Sequence, residues 1–98
     1  MSQWHNASTD ALCEALLSLQ NTEECYAFLE DVCTVKEILE ISQRLSVAKL
    51  LHKGLNYAEI KQRTGASTAT ISRISNCYEY GKGGYKAVIE RCGGEQND

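Results

Sequence analysis

Apolar side chains recur every three to four residues along nearly the whole sequence, which contains no proline. This interval places them on one face of an α-helix, whereas a half-buried strand would require strict alternation. A proline inside such a segment would end or kink the helix. The 98 residues provide for one core and leave no room for a second. We therefore predict an all-α fold and a single domain spanning residues 1–98.

Capping residues and turn signals predict where the first helices begin. Thr9 or Asp10 can accept the free amides at the start of a first helix, and Asn21 or Thr22 can do so for a second helix. We expect both helices to be short and amphipathic.

A third, longer helix is predicted at about residues 35 to 53. Thr34 and Glu37 form a capping box before it, in which each side chain accepts the other residue's amide. Gly54 follows a basic last turn, as is typical of a helix C-terminus. The three helices together make up a segment of about residues 10–53.

This segment carries more apolar surface than one small chain can cover. Pairs of adjacent apolar residues widen the stripes on its helices: Leu16 with Leu17, Phe28 with Leu29, and Leu50 with Leu51. A chain of this length buries only about 60–65% of its unfolded surface, and a shared core would bury more. We predict that the segment forms the interface of a homodimer. Ordinary packing within a monomer is the alternative.

Charge is distributed unevenly around a net value of −3. Residues 1–48 contain eight acids and two bases, which gives a net charge of −6. Residues 49–91 contain eight bases and three acids, which gives a net charge of +5. Such asymmetry is typical of a protein in which one half faces a polyanion.

Residues 57–76, YAEIKQRTGASTATISRISN, have the pattern of a helix-turn-helix. A helix over residues 57–64 would end at Gly65, because glycine tolerates the positive φ that the corner requires. A second helix would begin near Ser67 or Thr68. Four apolar side chains are placed to pack at the corner: Ile60, Ala66, Ile71 and Ile74.

No acid occurs in residues 65–76, and the second helix begins with short side chains. Short side chains let a helix enter a major groove about 12 Å wide, where hydroxyls can reach phosphates or base edges. An acid in this stretch would repel the phosphate backbone. The residues predicted to bind double-stranded DNA are Ser67, Thr68, Ala69, Thr70, Ser72, Arg73, Lys61 and Arg63. Lys53, Lys82 and Lys86 are further candidates for phosphate contacts.

A different interpretation stays open at this point. Helix pairs of this kind also occur in helical protein-interaction modules that retain the fold without binding an operator, and the net charge of −3 is compatible with such a role.

The segment TGASTATISRISNCY resembles the recognition segment of the tryptophan repressor family, in which a glycine-alanine corner leads into Ala-Thr-Ile-Thr-Arg and then Ser-Asn. The resemblance covers about residues 25–92 and is greatest to the YerC/YecD group. It implies an intertwined, all-helical homodimer in which each chain presents one helix-turn-helix. It also implies a bacterial transcriptional regulator, a repressor, whose operator half-sites lie about 34 Å apart.

The resemblance also implies a ligand pocket. Thr34, Arg44 and Arg73 match the threonine and the two arginines that hold the family's amino acid ligand. Cys77 stands at a serine position, and Ile74 replaces a glycine that makes room for the indole ring. We expect that tryptophan is not the corepressor, because the branched side chain fills that space and a thiol is a poor partner for an ammonium group. Another small effector and no effector both stay open, since the two arginines could instead pair with an acid or a DNA phosphate.

Other function classes are not indicated. The sequence shows no Ser-His-Asp, Cys-His or paired-carboxylate arrangement and no metal-ligand spacing, so we expect neither an enzyme nor a metal site. It also shows no membrane-spanning run and no secretory signal, and its five cysteines lack a C-x-x-C pair, which fits the cytoplasm. A short helix at about residues 84–92 and a flexible tail at 93–98 complete the predicted organisation.

Overall fold

The computed structural model describes residues 3–93, which form six α-helices and no strand. The helices are Ala7–Ser18 (α1), Thr22–Val32 (α2), Val35–His52 (α3), Tyr57–Thr64 (α4), Thr68–Tyr80 (α5) and Gly84–Arg91 (α6). The all-α prediction is therefore confirmed. The second helix of the predicted pair continues past residue 76 to Tyr80. Most of the predicted flexible tail, residues 94–98, lies outside the described residues.

Side-chain caps start both helices of the N-terminal part. The Asn6 carboxamide oxygen accepts the Thr9 amide at 3.0 Å, and Thr9 Oγ1 accepts the Asn6 amide at 2.9 Å. The cap of α1 is thus Asn6 and not the predicted Thr9 or Asp10, because Thr9 serves as the reciprocal partner within the box. Asn21, one of the two predicted caps, caps α2 and accepts the Glu24 amide at 2.9 Å.

The predicted capping box before α3 is present. Thr34 Oγ1 accepts the Glu37 amide at 3.1 Å, and Glu37 Oε1 accepts the Thr34 amide at 2.8 Å. The helix ends at His52, and Gly54 follows with φ +91°, a left-handed conformation that favours glycine. Local capping chemistry therefore sets both ends of the longest helix.

The described residues group into two compact units, one ending at Ile38 and the other beginning at Leu39. The second unit contains the core, which is formed by Val47, Ala48, Leu50, Ile60, Ala66, Ile71, Ile74 and Ile89. The four residues that the sequence placed at the helix-pair corner all belong to it. This core joins the second half of α3 to the three later helices, so it holds α4 and α5 in a fixed relation to α3.

The first unit contrasts with this core, because α1 and α2 bury no residue within the single chain. Leu17 is 85% exposed and Val32 58% exposed. Directly after this unit in the sequence, Leu39 and Ile41 on α3 are 63% and 50% exposed. The helical periodicity puts Val32 and Ile41 on apolar faces, and the single chain does not cover them. Among residues 3–93, no helix combines the length and apolar content that crossing a bilayer requires.

Candidate nucleic-acid interface

The turn between α4 and α5 consists of three residues, Gly65 to Ser67. Gly65 has φ +75°, as the predicted corner requires. Thr64 Oγ1 donates to the Ile60 carbonyl at 2.8 Å and accepts the Ala66 amide at 3.2 Å. One threonine hydroxyl thus links the last turn of α4 to the chain beyond the corner.

A contact from α3 holds the same turn. Gln43 Nε2 donates to the Thr64 carbonyl at 3.2 Å. On the other side of the turn, Ala66 is 2% exposed and Ile71 is fully buried in the core. The start of α5 is therefore fixed from both sides.

Ser67 caps α5 with an extended backbone, φ −71° and ψ 159°. Its hydroxyl oxygen accepts the Thr70 amide at 3.1 Å. The first hydrogen bond within the helix runs from the Ile71 amide to the Ser67 carbonyl at 2.9 Å. The amides of Thr68 and Ala69 precede that bond, and such amides at a helix N-terminus attract phosphate groups.

Most of the predicted DNA-binding residues lie exposed around this helix start. The exposed residues are Ser67, Thr68, Ala69, Ser72, Arg73, Lys61 and Arg63. Thr70 differs, because it is half-buried and its hydroxyl accepts the Ser67 hydroxyl at 3.0 Å. Thr70 therefore faces less toward solvent than its neighbours, and its side chain supports the cap.

The charges around the turn have one sign. The first turn of α5 carries no acid, and the last turn of α4 carries Lys61 and Arg63. These cations precede the free amides of α5, whose helix dipole adds positive potential at the same place. The arrangement suits a polyanion.

Lys53 and Lys82, two further phosphate candidates, are exposed, but Lys86 is half-buried. Its ammonium nitrogen lies 5.0 Å from the centre of the Tyr78 ring, a cation–π geometry. The Tyr78 hydroxyl lies 2.7 Å from His52 Nδ1. Burial, followed by Glu79 and Glu90, raises the pKa of Tyr78, so its hydroxyl is protonated at neutral pH. Lys86 thus has a packing role that the sequence did not reveal.

A cavity of about 230 Å³ adjoins the interface, and we refer to it as the arginine cavity. It is lined by Arg44, Thr70, Arg73, Ile74, Cys77 and Tyr85. Four of the five residues assigned to the effector pocket from the family resemblance are thus brought together by α3 and α5. The fifth, Thr34, belongs to the first unit and its hydroxyl caps α3, so its place in a pocket stays a prediction.

The chemistry of the arginine cavity combines apolar carbon with two guanidinium groups. Ile74 is 5% exposed and belongs to the core. Burial raises the pKa of the Tyr85 hydroxyl, Arg44 opposes that rise and Cys77 adds to it, so Tyr85 is neutral at pH 7. A small ligand bound here would meet two guanidinium cations and the neutral hydroxyls of Thr70 and Tyr85.

Sequence reasoning missed Tyr85 as a cavity residue. The signal that could have identified it is helical spacing, because Tyr85 precedes the buried Ile89 by four residues on α6 and shares its face. Its position against Arg44 depends on how α6 packs, which local patterns do not encode.

Metal-binding side chains are not grouped in the part of the chain that the structure describes. The cysteines at 13, 25, 33, 77 and 92 are free thiols.

Comparison with known proteins identifies the family. Residues 7–93 match the family model of the Trp repressor protein. The chain is 48% identical over 82 residues to YerC of Bacillus subtilis (strain 168), an uncharacterized protein, and the match covers 84% of this chain and 79% of YerC.

Two solved structures have the same fold. A Staphylococcus aureus protein proposed to be a Trp repressor superposes with a TM-score of 0.91 at 45% identity, covering 99% of this chain and 100% of that one. A TrpR-like protein from Eubacterium eligens gives a TM-score of 0.87 at 49% identity, with 90% and 91% of the two chains covered. The chain described here belongs to the Trp repressor family.

Proposed function

We propose that this protein is a homodimeric, sequence-specific DNA-binding regulator of transcription that acts in the cytoplasm as a repressor. The helix pair α4–α5 binds the operator, with the start of α5 in the major groove. Thr68, Ala69 and Ser72 contact base edges or phosphates there, and Arg73 is the one long donor on this part of the helix.

The observation that carries the proposal is the surface at the start of α5. Ser67 closes the cap with its own hydroxyl, Thr68 and Ala69 are exposed with their amides directed beyond the helix end, and no acid lies in the first turn. A helix start of this kind binds phosphate, and its short side chains allow close approach to the groove. The family of the chain supports the same assignment.

Dimerisation is proposed from the apolar surface of the first unit. Leu12 and Leu16 are each 46% exposed, and Leu17 is 85% exposed, although all three lie on α1. A second copy of the chain would cover these side chains, as the resemblance to the family implies. The two α5 helices would then reach successive major grooves about 34 Å apart.

The arginine cavity is proposed as the place where a small anionic effector binds, if the regulator has one. Arg44 and Arg73 supply two positive charges for such a ligand. We expect that tryptophan is not that ligand, because Ile74 is buried at the wall of the cavity and, by the family resemblance, stands where a glycine makes room for the indole ring.

Selection of genomic DNA fragments by the purified protein tests the proposal. We expect enrichment of one palindromic sequence with half-sites one helical turn apart, and loss of enrichment when Ser67→Asp places an acid at the start of α5. Recovery of fragments without a common motif would contradict operator binding and would favour a protein-interaction role instead.

A further inference from the structure

A second hollow lies between α3 and the end of α4. It has a volume of about 280 Å³ and is lined by Ser46, Lys49, Leu50, Arg63 and Thr64, and we refer to it as the α3–α4 hollow. Ser46, Lys49 and Leu50 come from α3, and Arg63 and Thr64 come from the end of α4. This volume approaches the lower end of the range of about 300–1,000 Å³ typical of small-molecule sites.

The wall of the hollow carries two cations and no acid. Lys49 is half-buried and lies on α3, whereas Arg63 is exposed and lies on α4. The two positive charges therefore come from different helices. Within the described residues, neither side chain has a carboxylate partner that would neutralise it. Two positive charges on a wall without an acid attract an anion supplied from outside.

Of the remaining polar groups on the wall, one already makes hydrogen bonds within the chain and another is exposed. The Thr64 hydroxyl is already engaged by Ile60 and Ala66, and its carbonyl accepts Gln43. Ser46 is exposed, and it lies on the same helix face as Lys49 because Lys49 follows it by three residues. A hydroxyl and two cations are the donors that hold a phosphate group, in which arginine binds two oxygens and lysine acts as a point charge.

We propose that the α3–α4 hollow is a phosphate-binding site in which Lys49 and Arg63 neutralise the anion and Ser46 donates to it. The phosphate comes either from the DNA backbone or from a small phosphorylated molecule. The site deepens the proposed function and depends on it only if the phosphate belongs to DNA. Arg63 and Thr64 stand directly before the turn into α5, so an anion bound here contacts the residues that hold that turn.

Binding of inorganic pyrophosphate to the full chain, followed by the shifts of backbone amide signals in NMR, tests the site without any DNA. We expect saturable shifts centred on residues 46–50 and 63–64. The variant Lys49→Gln/Arg63→Gln should bind at least tenfold more weakly, and Lys49→Arg/Arg63→Lys should restore binding.

The matched control is Lys36→Gln/Arg91→Gln, which removes the same charge from residues that do not line the hollow. It should bind pyrophosphate as the parent chain does. Equal weakening in both glutamine variants, or shifts spread over all exposed lysines without saturation, would overturn the proposal.

A second arm identifies the source of the phosphate and uses the DNA sequence recovered by selection. If the backbone supplies it, Lys49→Gln/Arg63→Gln makes the slope of log affinity against log salt less steep by about 2 for a dimer, because each chain loses one phosphate contact and each contact releases about one counterion. If a free molecule supplies it, the slope stays unchanged while pyrophosphate binding is lost. A chain that binds pyrophosphate at the hollow and selects no DNA would refute the proposed regulator and leave this site standing.

Discussion

The hydroxyl of Ser67 accepts the Thr70 amide at 3.1 Å and lies 3.0 Å from the Thr70 hydroxyl, to which it donates. This pair closes the start of α5 and leaves the neighbouring Thr68 and Ala69 exposed. Ser67 therefore has two separate properties. Its hydroxyl stabilises the helix as a cap, and its lack of charge permits approach to DNA.

Substitutions of Ser67 should therefore affect folding and DNA binding differently. Ser67→Ala removes the cap and should lower the free energy of unfolding by about 1 kcal/mol. Ser67→Asp keeps a capping oxygen and should change stability by less than about 0.5 kcal/mol, yet it should weaken operator binding at least tenfold through like-charge repulsion. Urea unfolding and fluorescence anisotropy with labelled operator measure the two effects. Unchanged affinity in Ser67→Asp would remove α5 from the interface.

Thr68 and Ser72 are the serine and threonine residues of α5 that are exposed and have no role in its cap. Thr68→Ala and Ser72→Ala should each weaken operator binding by about 1 kcal/mol, about fivefold, because each loses one hydrogen bond to DNA. Thermal unfolding should change little, since neither side chain is buried. Glu79→Ala, on the exposed C-terminal part of the same helix, is the control and should not weaken binding.

Tryptophan should not bind to the arginine cavity. Ile74 is 5% exposed and lines the cavity together with Arg73 and Cys77. Isothermal titration calorimetry with tryptophan should give no saturable heat up to millimolar ligand. Binding in the micromolar range would show that the isoleucine leaves room for an indole ring, and the effector assignment would have to change.

Substitution of Leu17 tests whether a second chain covers the apolar surface of the first unit. It is 85% exposed in the single chain, so Leu17→Glu would be harmless in a monomer. In a homodimer that buries it, the change removes about 1.5–3 kcal/mol of apolar burial per chain and adds a buried charge. We expect dimer dissociation in size-exclusion chromatography with light scattering. Ala11→Glu, an exposed position on α1, adds the same charge and should leave the dimer intact.

Much of the fold follows from local chemistry that the sequence displays. The Thr34–Glu37 box, the Asn21 cap and the positive φ at Gly65 are each properties of a few adjacent residues, and the structure has all three. The start of α1 was predicted wrongly because Asn6 and Thr9 can each act as a cap. Only the reciprocal hydrogen bonds decide which one does.

The candidate site was less predictable because it depends on packing between distant segments. The exposure of Thr68 and Ser72 follows from helical spacing, but the half-buried state of Thr70 arises where α5 meets the arginine cavity. Lys49 had only its place in a basic last turn to mark it, and the α3–α4 hollow forms only once the end of α4 packs beside α3. Helical periodicity likewise places Val32 on an apolar face of its helix, but it does not show which molecule covers that face.

The most direct test of the account is the number of chains bound to one selected operator duplex, measured by native mass spectrometry at protein excess. We expect two chains of 10.9 kDa per duplex, with hydroxyl-radical protection of the backbone that flanks two major grooves about one helical turn apart. A saturated complex that contains a single chain, or a single protected groove, would contradict it.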